Sequence, residues 1–143
     1  MLEIIVLLLF IGGLYVYGQI SSRLDKIEQP ELKKEKIVVN QEAPKMTGYK
    51  TYVLFGIDTR GEGSQYSAQN SDTMIIVSVN NDTKEVRMVS VYRDTLLNVG
   101  DDTYTKANAA YALGGPEQAI TMLNTNLDLD ISDYATADFS VYL

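Results

Sequence analysis

The chain has no cysteine and no histidine, and only three prolines in 143 residues. Without cysteine there is no disulfide framework, and either side of a membrane is compatible with the composition. Without histidine the usual zinc ligand and the usual neutral-pH base are missing, and a Ser-His-Asp triad is excluded within the chain. Acid–base and metal chemistry therefore falls to Asp, Glu, Lys, Arg or Tyr. Positive charge is also scarce: 12 Lys and Arg face 19 Asp and Glu, a formal net charge of -7. A duplex nucleic-acid binder needs a basic face to neutralise phosphates, so no nucleic acid is expected among the partners. An acidic domain of this kind can still hold a local basic pocket.

What is present begins with a long apolar run. Ile4–Ile20 reads IIVLLLFIGGLYVYGQI, with Gln19 its only clearly polar residue. This suits a short membrane-spanning helix, with Tyr15 and Tyr17 at the level of an interfacial aromatic belt. A cleaved signal peptide would need a basic start and a small-residue cleavage site, and Glu3 is the only early charge. Residues 1–20 are therefore read as an uncleaved transmembrane anchor. Arg23 and Lys26 follow the run and no base precedes it. Taken literally, the positive-inside rule places the remainder in the cytoplasm. The start is abrupt, as expected if a basic N-terminal stretch were missing or mis-called.

Residues 21–48 are rich in Lys and Glu and include Pro30 and Pro44. The stretch from Glu31 to Lys36 has no apolar face to bury, so the segment reads as a charged, solvated linker. From Tyr49 the pattern changes. Tyr52–Ile57 and Thr73–Val79 read as strands, the second rich in β-branched residues. Asn80–Lys84 is a turn cluster, and Glu85–Val91 alternates as the second arm of an antiparallel hairpin. Lys106–Leu113 holds good helix formers, Gly114-Gly115 stops it, and Pro116 opens a second helix with a stripe of Ala119, Ile120, Leu123 and Leu127. Residues 131–139 suit a further strand. Interleaved strands and helices predict an α/β or α+β layered domain over residues 49–143.

Polar residues gather where the apolar strands end. Asp58 and Arg60 follow the first strand, Asn70-Ser-Asp72-Thr73 opens the second, Tyr92-Arg93-Asp94-Thr95 closes the third, and Lys106 and Asn108 start the first helix. If the second strand opposes the first and third, these blocks share one edge of the sheet, where open α/β sheets build ligand sites. Asp58 and Asp72 are then candidate oxygen ligands for one hard cation, Mg²⁺ or Mn²⁺. Arg60 and Arg93 are candidate phosphate clamps, because a guanidinium matches phosphate oxygens bidentately. Together they would stabilise charge on a transferred phosphoryl group, with a carboxylate taking the proton of an attacking hydroxyl. The plain alternatives are that Asp72 is a turn or cap residue and that Arg93-Asp94 is a surface ion pair.

The blocks YVLFGIDTRGEG, NSDTMIIVSVNNDTKEVRMVSVYRDT and YTKANAAYALGGPEQAI, in that order, resemble the opening half of the LytR-CpsA-Psr domain, from about Tyr49 to about Phe139. The resemblance implies an α/β(α) fold with a mixed sheet flanked by helices and a groove for a polyprenyl chain. It implies a metal-dependent phosphotransferase that moves a polyprenyl-pyrophosphate-linked glycopolymer, of teichoic acid or capsule type, onto a peptidoglycan hydroxyl. The expected location is the cell membrane, single-pass, with the globular part outside, and this is preferred to the charge rule. By the same resemblance Asp58 and Asp72 serve the metal and acid–base work, Arg93 the pyrophosphate, and Arg60, Lys106 and Asn108 bind substrate. Tyr92 stands where the pattern often has Pro, Asn70 where it often has Arg, and Ala107 where it has a large apolar residue. The Arg-rich second half of the pattern lies beyond Leu143, so a fragment or truncated product of low activity is expected. A lipid pyrophosphatase on the same scaffold is one rival. A membrane-tethered regulator or binding module, in line with the older name of transcriptional attenuator, is the other.

Overall fold

The computed structural model describes residues 2–24, 32–41, 47–57 and 69–138. It separates into two units, Met1–Glu31 and Leu32–Leu143. Asp58 and Arg60 fall outside the described residues.

The first unit is a single helix, α1 (Leu2–Leu24), which continues past the expected end at Ile20 and takes in Arg23. Its stretch Glu3–Ser22 has 20 residues and a mean hydropathy of 2.0. At about 1.5 Å per residue this reaches about 30 Å, the thickness of a bilayer core. Leu8, Leu9, Phe10, Leu14 and Val16 are all bare. A helix that is apolar all round is stable only in apolar surroundings, so its own composition calls for lipid or protein around it.

The second unit is built on a four-stranded sheet of β1 (Tyr49–Ile57), β2 (Ser71–Asn80), β3 (Val86–Val91) and β6 (Ile131–Asp138), in the order β3-β2-β1-β6. β2 runs antiparallel to both β1 and β3, and β6 runs parallel to β1. β1 and β3 thus point the same way with β2 opposed, as the edge argument requires. Between β3 and the helix lies a small hairpin, β4 (Leu96–Asn98) with β5 (Tyr104–Lys106), which the sequence reading did not anticipate. Its turn carries Gly100, Asp101 and Asp102 at positive φ. Lys106 ends β5, and the helix begins three residues later than expected, at Ala109. The delay has a backbone cause: Lys106 pairs with Leu96, and the Ala107 amide donates to the Thr95 carbonyl at 2.8 Å.

α2 (Ala109–Leu127) is two helical segments joined at a kink. Gly115 has φ of 70°, a left-handed value that favours glycine. A Cβ on Gly114 would meet the Gln118 Cβ at 2.8 Å. Pro116 follows and opens the second segment, where its missing N–H is no loss. That segment lays Ala119, Ile120, Met122 and Leu123, all fully buried, over Val53, Phe55, Met74 and Ile76 of the sheet. The period-2 side-chain alternation of β1 and β2 brings Phe55 opposite Met74 and Val53 opposite Ile76, so one face supplies the core. Leu127, expected in the apolar stripe, is 42% exposed, while Met122 takes a core place instead. Phe55 meets Tyr111 edge-on at 5.2 Å between ring centroids. At the end of α2 the buried Asn124 accepts the Ile131 amide through Oδ1 at 2.8 Å, which fixes where β6 starts.

The opposite face pairs Tyr52 with Val77, Leu54 with Ile75, and Val77 with Met88. No helix among the described residues of the folded unit lies on it, and Leu54 and Met88 are exposed.

Part of the segment read as a solvated linker belongs to the folded unit. Leu32 and Ile37 pack against the core on either side of a 3₁₀ turn, Lys34–Lys36. The Lys33 amide donates to Glu117 at 3.3 Å, the Val38 amide to the Thr121 hydroxyl at 3.1 Å, and the Asn40 side-chain amide to Asp128 at 2.8 Å. The expectation of a segment with nothing apolar to bury failed because two well-spaced apolar side chains are enough to dock a short strap.

Candidate functional site

Three turns meet at the end of the sheet where β1 finishes and β2 begins. Ile57, the last residue of β1, pairs with Ser71, the residue that precedes Asp72. β3 ends at Val91, opposite Met74, and the Thr95 amide closes a turn by donating to Tyr92 at 3.0 Å. The turn between β5 and α2 is laced to both neighbours through Asn108. Its amide donates to the Arg93 carbonyl at 3.1 Å, and its own carbonyl accepts the Ser71 amide at 3.3 Å. Asn108 thereby joins the loops through its backbone, and its side chain makes no capping bond to α2.

This lacing sets four side chains in alternating charge. Arg93 Nη1 donates to Asp72 Oδ1 at 3.0 Å. Arg93 Nε lies 3.7 Å from Asp94 Oδ2, and Lys106 Nζ lies 2.6 Å from Asp94 Oδ1. All four side chains are exposed, from 43% for Asp72 to 65% for Lys106. The hydrogen bond from Lys106 and then its charge hold the Asp94 carboxyl below the usual carboxylate range, and Arg93 adds to the effect.

The structure therefore brings Asp72, Arg93, Lys106 and the Asn108 backbone to one rim. Asp58 and Arg60, the other two predicted site residues, are not described. The residue that sequence reasoning passed over is Asp94, which had been weighed only as a surface partner of Arg93. Its closer partner is Lys106, twelve residues on, and no local spacing signal joins them because the β4–β5 hairpin that does so was not legible.

For a cation the fit rests on donor chemistry. Arg93 occupies Oδ1 of Asp72, while Oδ2 has no partner among the described residues and is a hard oxygen donor. Among the described residues no group of three acidic side chains gathers around one point. The second carboxylate of the expected pair, Asp58, lies outside them.

Comparison with known proteins shows the family and the fold. The model of the LytR_cpsA_psr family matches residues 14–142. The polyisoprenyl-teichoic acid–peptidoglycan teichoic acid transferase TagU of Enterococcus faecalis (strain ATCC 700802 / V583) is 30% identical over 143 residues, covering 95% of this chain and 45% of its own length. The chain thus spans about half the length of such curated relatives. The structure of TagT bound to LI-WTA superposes with a TM-score of 0.58 at 25% identity, over 67% of this chain and 35% of that one. The LytR-CPS2A-psr family protein YwtF (TagT) with bound octaprenyl pyrophosphate lipid shares the fold, with a TM-score of 0.62 at 22% identity over 80% of this chain and 45% of that one.

Proposed function

Because the chain belongs to the LytR_cpsA_psr family, we propose that it forms the anchored, phosphate-gripping part of an enzyme that transfers an anionic glycopolymer from a polyprenyl-pyrophosphate carrier to a peptidoglycan hydroxyl outside the membrane. The relatives that support a transfer function are named teichoic acid transferases, so the polymer is of teichoic acid or capsule type. The observation that carries the reading is the rim where Arg93 and Lys106 stand side by side in a chain of net charge -7. Asp72 and Asp94 balance these two cations in the free chain, so the rim receives an anion as the cations exchange carboxylate pairing for phosphate oxygens.

Each residue then has a task. Arg93 exchanges part of its pairing with Asp72 for pyrophosphate oxygens, presenting a planar fork that matches them. Lys106 adds a compact charge from the next turn, and Arg60 is assigned to the same headgroup. Asp72 orients Arg93 in the free state. Asp72 or Asp58 receives the proton of the attacking sugar hydroxyl as the new phosphoester bond forms and the polyprenyl phosphate leaves. Mg²⁺ or Mn²⁺, held by Asp58 and Asp72, would supply charge neutralisation at the phosphoryl oxygens when bound. α1 tethers the chain to the membrane that holds the carrier lipid.

The test is transfer of a radiolabelled polymer from its polyprenyl carrier by the full-length protein in nanodiscs, with peptidoglycan supplied as acceptor. Arg93→Ala is expected to lower label incorporation by about a hundredfold, the scale for losing one donor to the charge of a transition state. Equal incorporation by wild type and variant would remove Arg93 from the reaction. Release of free polymer at the same rate with and without acceptor would make the protein a pyrophosphatase instead.

A further inference from the structure

Resting on the reading just given, we propose that Asp94 is a positioning residue whose carboxylate sets Lys106 and Arg93 at the spacing a pyrophosphate headgroup needs, without touching the substrate itself. Asp94 stands between the two cations, 2.6 Å from Lys106 Nζ and 3.7 Å from Arg93 Nε. The cations come from different turns, Arg93 after β3 and Lys106 at the end of β5. Asp94 is the only described side chain paired with both.

Its own location is fixed from both sides by backbone. The turn Tyr92–Thr95 is closed by the bond from the Thr95 amide, and it is tied to the following turn by the bonds from Ala107 to Thr95 and from Asn108 to Arg93. The carboxylate therefore starts from a determined place, and the flexible lysine stem is what it organises.

Stability does not explain the arrangement. The side chains of Asp94 and Lys106 are 59% and 65% exposed, and ion pairs this open to water contribute little to folding. A lysine carries several rotatable bonds and loses rotamer freedom when its head is fixed. With Asp94 present that ordering is complete before a ligand arrives. Without it the ligand must order Lys106 itself, and the loss appears as weaker binding.

Simple Coulomb reasoning predicts the opposite sign. A carboxylate beside an anion site repels the anion, so deleting a bystander acid should tighten binding. The sign of the change therefore separates positioning from proximity.

The experiment is calorimetric titration of the full chain in nanodiscs with octaprenyl pyrophosphate, and separately with inorganic pyrophosphate. Asp94→Asn should weaken both by about fivefold, the factor expected when a ligand must order one rotamer-rich side chain. Asp94→Glu should recover much of the loss, and the melting temperature should stay where it was. In a Lys106→Gln background, Asp94→Asn should lose most of its effect, because the acid acts through that lysine. Unchanged or tighter binding by Asp94→Asn overturns the inference, as does full additivity with Lys106→Gln. If Asp94→Asn proves unstable, Asp94→Ser measured alone and in the Lys106→Gln background decides in the same way: an equal loss in the two backgrounds counts against positioning. Failure of the wild type to bind either probe is a different result and sinks the functional reading itself.

Discussion

The helix-covered face of the sheet and the rim at its strand ends are built on opposite principles. On the face, Val53, Phe55, Met74 and Ile76 are at most 7% exposed and meet α2 through apolar contact alone. On the rim, Asp72, Arg93, Asp94 and Lys106 are 43% to 65% exposed and meet one another through charge. The first arrangement produces stability, because burial of apolar area is the dominant favourable contribution to folding. The second produces little, because water screens each pair. What the rim gains from the face is a rigid base on which three turns can be laced together. The two regions should therefore respond to substitution in separate observables, folding for one and ligand for the other.

The largest expected effect tests the face. Phe55→Ala removes the largest fully buried side chain, which β1 presents to Tyr111, and it should cost about 3–5 kcal/mol of stability in urea unfolding. A cost under about 1 kcal/mol would mean that this layer is not the core. The next tests a polar link inside the core. Asn124→Ala leaves the Ile131 amide without its acceptor at the junction of α2 and β6, and should cost about 1–3 kcal/mol, read from the same unfolding curves. Asn124 already leaves its own Nδ2 without a partner, which places the expectation in the lower part of that range. The smallest stability effect belongs to the rim. The Asp94→Asn variant described above should unfold with the wild type while its binding weakens, and a shared loss of both would erase the distinction between the two regions.

The same contrast explains what was legible in the sequence. Burial writes a pattern. The apolar runs of β1, β2 and β3, the turn between the last two and the Gly-Gly-Pro break in α2 could all be read because each has a period or a stop signal. The three-residue strands β4 and β5 are too short to show alternation, so Lys106 was taken for a helix start when it closes a hairpin. The strap was hidden for the reverse reason: Leu32 and Ile37 are two apolar residues among charges, below any periodic signal. At the rim, the strand-end argument drew Asp72 and Arg93 to one edge of the sheet, and the family resemblance gave Lys106 its role. Asp94 escaped because its meaning depends on a partner that only the fold brings near.

The central claim is that these turns together receive a pyrophosphate. Isotope-labelled chain in micelles, titrated with inorganic pyrophosphate and followed by NMR, tests it directly. The account predicts saturable shifts at Asp72, at residues 92–95 and at residues 106–108, with the amides of Phe55, Met74 and Leu123 unmoved. Shifts confined to another surface, or none at concentrations that saturate ordinary phosphate sites, would contradict it.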